Sequence, residues 1–242
     1  MCHSDGSRPP AAPATLAAAS DRPLELRSAD GTRVLAHEAR AQAPHGVGVL
    51  VLPDVRGLHE YYRRLAVRFA ETGVEAVAID WFGRTAPDDD RSEAFAFRPH
   101  VDQLTPHAVA ADVAAAVEHL RGLGVRSVFT VGFCLGGGYS WRQSADTPDL
   151  AGCIGFYGRL SLVEDVVDRL QAPLLMLVAG ADAHIPVADT AVLAEAARAT
   201  VPVEHVVFDG APHSFFDRSS SEHQRDCARA WQRIQAFLAQ YG

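Results

Sequence analysis

Cys134 stands in the run Gly132-Phe133-Cys134-Leu135-Gly136, with Gly137 and Gly138 behind it. Residues 126–131 before it read as a strand and residues 135–143 after it as a helix. This is the strand–turn–helix setting in which a nucleophile is held exposed on a sharp turn. The turn strains the backbone at the nucleophile and lets strand and helix approach closely, so its neighbours must be small. Cysteine at a helix N-terminus is favoured as the thiolate by the helix dipole and unpaired N–H groups. The N–H of Leu135 is a candidate oxyanion donor. The plain alternative is a buried cysteine in a glycine-rich turn.

Two further residues complete a possible acyl-transfer set. Asp182 lies in Ala179-Gly180-Ala181-Asp182-Ala183-His184-Ile185-Pro186 and His213 in Asp209-Gly210-Ala211-Pro212-His213-Ser214-Phe215. Each loop follows a predicted strand, and acid and base come after the nucleophile in the chain order such a site uses. Asp182 would orient His213 and stabilise its cationic form, and His213 would activate the thiol or a water. Asp182 could instead cap the helix after Pro186. Asp189 is a rival acid, one turn inside that helix. His184 is a rival base within the acid's own loop.

These residues need a frame that brings separate loops together. Residues 24–27 and 34–39 flank Ala29-Asp30-Gly31 as a hairpin. Strands are expected at 48–52, 74–79, 126–131, 150–156, 173–178 and 204–208, and helices at 62–71, 106–120, 135–143, 162–170, 187–198 and 221–240. Residues 85–105 break this rhythm and read as an excursion over the catalytic face. Strands alternating with helices imply an α/β protein with a mostly parallel central sheet flanked by helices on both faces. The expected organisation is an N-terminal extension over 1–23, draped on the surface or disordered, and one domain over 24–242.

The chain has 242 residues, 48% of them hydrophobic, and a formal net charge of −8. That balance argues against a nucleic-acid surface, and no apolar run is long enough for a membrane span. Four cysteines, no CxxC pair and no readable signal peptide fit reduced thiols in the cytoplasm and no structural zinc. Cys2-His3 in a tail is a poor metal site. Cys153 sits in an apolar strand and Cys227 on the last helix. No metal or cofactor is expected, and the expected partner is a small-molecule ester bound by a monomer or small homo-oligomer.

The motif Gly-Phe-Cys-Leu-Gly-Gly at 132–137, Gly180-Ala181-Asp182 with Pro186, and His213-Ser214-Phe215 together resemble the dienelactone hydrolase family, the carboxymethylenebutenolidase type, over roughly residues 24–240. The resemblance implies an α/β-hydrolase fold without a large cap domain, and hydrolysis of an enol-lactone carrying a carboxylate. It implies that Asp54, in Pro53-Asp54-Val55-Arg56-Gly57, contacts the resting thiol, where the family more typically has Glu, and that Val55 supplies the second oxyanion N–H. It gives Arg84 the role of gripping the substrate carboxylate; the alternative is an ion pair with the Asp88–Asp90 run. Ser214, beside the histidine, belongs to the substrate-binding set. The family's second arginine falls on Asp217; either Arg218, next to it, takes its place with a shifted loop, or substrate specificity has changed. Outside this reading stand a broader carboxylesterase or thioesterase with the same triad, and a catalytically quiet scaffold with a redox-sensing Cys134.

Overall fold

The computed structural model describes residues 3–12, 18–219 and 221–242. Eight strands form one sheet: β1 (Ala19–Arg27), β2 (Arg33–Ala41), β3 (Val47–Leu52), β4 (Glu75–Ile79), β5 (Ser127–Phe133), β6 (Gly152–Phe156), β7 (Leu174–Ala179) and β8 (Val203–Phe208). Their spatial order is β1-β2-β4-β3-β5-β6-β7-β8. From β4 to β8 all neighbours are parallel; β1 and β2 are antiparallel additions at one edge. Every residue of β3, β4, β6 and β7 is buried, which is why these strands read as unbroken apolar runs.

Helices cover both faces. On one face α1 (Glu60–Ala70) and α6 (Gln224–Tyr241) bury Tyr62, Phe69, Trp231 and Phe237 against the sheet. On the other lie α3 (Pro106–Gly122), α4 (Leu135–Asp146) and α5 (Val187–Ala197), with Val113, Leu120, Trp141 and Leu193 in the core. The 85–105 excursion holds a single helical turn, α2 (Arg98–Val101), rather than a cap domain. No helix among the described residues is long and apolar enough to cross a membrane.

Three expectations change. The hairpin begins earlier, since β1 starts at Ala19. Residues 3–12 do not hang loose: His3, Ser7, Pro9 and Pro10 are buried. The single helix expected over 162–170 is instead two 3₁₀ segments, Leu160–Leu162 and Glu164–Arg169. The cause is local: Arg142 Nη1 takes the Leu162 carbonyl at 2.9 Å, and the Val166 N–H turns to Val163 O instead. Cys2 lies outside the described residues.

Candidate active site

β5 runs to Phe133 and α4 starts at Leu135, so Cys134 alone makes the turn between them. Its backbone has φ 55° and ψ −111°, a conformation that costs a non-glycine residue of order 1–3 kcal/mol. Two glycines make the turn possible. A Cβ on Gly132 would lie 1.8 Å from the Gly136 carbonyl oxygen, and one on Gly136 would lie 2.2 Å from that of Pro53. Further hydrogen bonds pin the turn: Cys134 N–H donates to Phe156 O at 3.0 Å, and Cys134 O accepts from Gly138 N–H at 3.2 Å and Arg159 N–H at 3.3 Å. Cys134 is partly exposed, whereas Cys153 and Cys227 are buried, with thiols pushed up to about 12 mainly by burial.

The loops after β7 and β8 bring the other two residues together. His213 Nδ1 lies 2.6 Å from Asp182 Oδ2, with the Asp182 side chain 1% exposed. The second oxygen of Asp182 accepts from its own loop, from His184 N–H at 2.9 Å and Ile185 N–H at 3.3 Å. The acid is therefore held by its own loop while it orients His213 on the loop after β8. His213 also hydrogen-bonds the Cys134 side chain. Burial pulls the imidazole pKa down, but the contacts with Cys134 and Asp182 outweigh it, and the net shift is upward from 6.5. The Tyr157 ring supports the imidazole at 4.6 Å between centroids. Asp189 and His184 are both exposed, and among the described residues neither side chain bonds Asp182, His213 or Cys134.

Cys134 and His213 open into a cavity of about 410 Å³ whose wall includes Val55, Phe97, Arg98, Arg159 and Ile185. Val55 is thus placed on the wall near the thiol, and Leu135 occupies the first position of α4, where N–H groups have no partner within the helix. A second depression of about 590 Å³ adjoins the cavity through Arg159, His184 and Ile185.

Other expected site residues lie elsewhere. Asp54 is fully buried, and its carboxylate serves the loop: Oδ1 accepts from Arg56 N–H at 2.9 Å, Oδ2 accepts from His3 N–H at 3.3 Å, and His59 Nε2 lies 3.6 Å away. Burial opposes ionisation of Asp54, but His59, His3 and the Arg56 N–H hold it below the usual carboxylate range. Arg84 does not reach the cavity. Its guanidinium is closed by Asp112 at 2.6 Å and Asp30 at 3.0 Å, both outside the acidic run considered from sequence. Arg218 is exposed and is absent from the cavity wall; its N–H donates to Arg8 O at 2.9 Å. Ser214 has φ 66°, and its buried Oγ has no hydrogen-bond partner among the described residues.

Three arginines line the cavity, Arg56, Arg98 and Arg159, and sequence reasoning gave none of them a substrate role. All 22 basic residues of the chain are arginine. Arg33, Arg56, Arg84, Arg91 and Arg142 are each held by a carboxylate. The Arg98 and Arg159 side chains are exposed and have no carboxylate partner among the described residues. A signal existed: Arg159 follows the strand beside the nucleophile strand, at the carboxyl ends where open α/β sheets bind ligands. Arg98 lies in the excursion, which a buried ion pair ties down, Arg91 Nη2 to Asp80 Oδ2 at 2.8 Å.

Comparison with known proteins agrees with this architecture. The sequence profile described as "Dienelactone hydrolase family" matches residues 34–242. A Methylorubrum extorquens protein named "Putative carboxymethylenebutenolidase" is 31% identical over 209 residues, covering 80% of this chain and 72% of the relative. A Bradyrhizobium protein named "Probable 2-oxo-3-(5-oxofuran-2-ylidene)propanoate lactonase" is 30% identical over 213 residues, covering 78% and 82%. Among solved structures, a Klebsiella pneumoniae "Putative Dienelactone Hydrolase" superposes with a TM-score of 0.79 at 28% identity, over 93% of this chain and 100% of that one.

Proposed function

We propose that this chain, which belongs to the dienelactone hydrolase family and is a carboxylic ester hydrolase, opens enol-lactones or related carboxylate-bearing esters through a Cys134–His213–Asp182 triad and an acyl-thioester intermediate. One observation carries the reading. A single imidazole bonds Asp182 on one side and the Cys134 side chain on the other, at a cavity wall.

His213 takes the thiol proton, and the thiolate attacks the carbonyl carbon. The C–S bond forms as the carbonyl π pair moves onto oxygen, where the N–H groups of Val55 and Leu135 receive it. Collapse breaks the C–O bond, and the enolate departs with the pair and takes the proton that His213 holds, which returns the imidazole to its neutral form. A water then loses a proton to His213 and attacks the thioester, and the C–S pair returns to sulfur. Enolates leave readily, so a thiolate enzyme favours them over alkoxides, which need a proton from a general acid. Asp54 fixes the loop carrying Val55 and takes no proton in this scheme.

Arg98 and Arg159 take the substrate carboxylate in place of Arg84. In a chain of net charge −8, an anion needs a local cation, and a guanidinium offers two parallel donors. The Bradyrhizobium relative's name denotes a ring lactone bearing a propanoate, which fits this reading. Cys134, Cys153 and Cys227 are not in disulfides among the described residues, which fits a reducing, cytoplasmic setting. A broader carboxylesterase or thioesterase with the same triad is the second reading, favoured by the room in the adjoining 590 Å³ depression.

The test is a burst assay with a p-nitrophenyl ester, with mass spectrometry of the acylated peptide, followed by kinetics on matched carboxylate-bearing and neutral esters. We expect one acyl group on Cys134. In Arg98→Ala/Arg159→Ala, kcat/KM should fall roughly 30-fold on the charged ester, about 2 kcal/mol, with little change on the neutral one. Acylation at another residue refutes the nucleophile. A wild type indifferent to substrate charge supports the broader esterase.

A further inference from the structure

The N-terminal segment, residues 3–12, lies outside the 34–242 region matched by the family profile, yet it runs beneath the catalytic loops. His3 is its anchor. The imidazole is 2% exposed and stacks on Tyr61 at 3.7 Å between centroids and 10° between planes. Its Nε2 is 3.2 Å from the hydroxyl of Tyr157, the residue whose ring supports His213. Such a stack recovers part of the cost of ordering a terminal segment.

The segment bonds three loops of the site. On the loop carrying Val55, His3 N–H donates to Asp54 Oδ2 at 3.3 Å, Arg56 Nη1 donates to His3 O at 3.0 Å, and Arg56 Nη2 donates to Asp5 Oδ1 at 2.8 Å. On the excursion, Asp5 N–H donates to Glu93 Oε1 at 2.8 Å and Glu93 N–H to Asp5 Oδ2 at 3.2 Å. On the histidine loop, Arg8 N–H donates to Asp217 Oδ1 at 3.0 Å, and Arg218 N–H returns a bond to Arg8 O at 2.9 Å. Trp231 Nε1 secures the far end by donating to Pro10 O at 3.1 Å.

We propose that residues 3–8 form a built-in strap that positions the oxyanion loop and the His213 support, with Asp217 as its latch. Asp217 occupies the position where the family resemblance expects a substrate arginine. A carboxylate there cannot grip an anionic substrate, but it does accept the Arg8 N–H and approach His3 Nδ1 at 4.0 Å. Asp54 lies between the strap and Val55, so the strap sets where the Val55 N–H points. His3 and Asp217 are positioning residues that touch no reacting atom. The inference rests on the assignment of Val55 to the oxyanion hole.

The test uses the full chain carrying His3→Ala/Asp217→Ala. Active sites are counted by burst titration, and kcat and KM are measured on a neutral activated ester. Hydrogen exchange is followed by mass spectrometry across residues 53–59 and 213–218. Losing one oxyanion donor, or moving it by about an ångström, costs roughly 100-fold. We expect kcat per titrated site to fall roughly 30- to 100-fold by that reasoning, with KM little changed and exchange accelerated in both segments. His3→Phe, which keeps the stack and the backbone bonds, should restore most of the rate. Unchanged kcat per site, or loss only of titratable sites, overturns the strap as a positioning device. If the double variant does not fold, Asp217→Ala alone, which removes the acceptor of the Arg8 N–H, carries the same measurements with the same two outcomes. A wild type without any burst refutes the cysteine mechanism instead, and exchange in the variant then decides the strap alone: unchanged protection at 53–59 overturns it.

Discussion

Replacing Asp182 by Asn tests the acid and the mechanism together. The Asn side-chain oxygen can still accept from the His184 and Ile185 N–H groups, so the loop should keep its shape. What is lost is the charge and the acceptor 2.6 Å from His213 Nδ1, where the amide would present an NH2 donor and favour the wrong imidazole tautomer. A hydrogen bond to a charged group is worth about 1.5–3 kcal/mol. The Asp182 side chain is 1% exposed and that of His213 18%, so little water can replace the contact. The upper end of that range, about 3 kcal/mol, corresponds to roughly 150-fold in rate. Thiolate attack needs the base less than water attack does, so the loss should fall on deacylation. The burst on a p-nitrophenyl ester should persist in amplitude while the steady-state rate falls. An NMR titration of His213 supplies the second readout. Burial alone lowers its pKa, and the Cys134 and Asp182 contacts raise it above 6.5, so removing the acid should move the midpoint down. A raised folded-state pKa contributes stability that is full below the unfolded value and is lost as pH rises through the folded one. Asp182→Asn should therefore cost more stability at pH 6 than at pH 9. A steady-state rate within about 3-fold of wild type, less than 1 kcal/mol, would refute the assignment, and Asp189→Asn would become the variant to measure.

Arg84→Ala should leave the ratio of kcat/KM between charged and neutral esters unchanged, because its guanidinium faces Asp112 and Asp30. It should lower stability by about 1–3 kcal/mol in chemical denaturation, since Asp112 is buried and loses its charged partner; a collapse of charge preference would restore Arg84 as a substrate residue. Gly132→Ala should abolish soluble, folded protein, because its Cβ would sit 1.8 Å from the Gly136 carbonyl with backbone on both sides; a native melting temperature would show that the turn can open.

The sheet was legible because buried parallel strands are unbroken apolar runs, as in β3 and β7. The loops carrying Cys134 and Asp182 were legible because each directly follows a buried strand, whereas that carrying His213 follows β8, which is partly exposed and includes Glu204 and His205. Arg84 was misplaced because proximity to the catalytic face in sequence says nothing of which carboxylates lie nearby in space. Asp112 is 28 residues away and Asp30 is 54. Arg159 was missed because a single exposed arginine after a strand has no pattern of its own. The packing of residues 3–12 was invisible because its contacts span 51 residues to Asp54 and 209 to Asp217. A stretch rich in Pro, Ala and Ser carries no periodicity from which such contacts could be read.

These displacements form one arrangement. The family's second arginine position holds Asp217, and an acid there would repel a substrate carboxylate. Burial opposes its charge, but His3, Ser7 and the N–H groups of Arg8 and Ser219 hold Asp217 well below the usual carboxylate range, so it stays ionised at neutral pH. Arg84 is closed off by Asp112 and Asp30. In the proposed reading the substrate anion goes to the guanidinium groups of the cavity wall that have no carboxylate partner among the described residues, Arg98 and Arg159. Arg159 is fixed through its own backbone N–H to the Cys134 carbonyl, whereas Arg98 rides on the excursion. Under that reading, Arg159 would set the distance of the carboxylate from the thiol, and Arg98 would accommodate the length of what lies between.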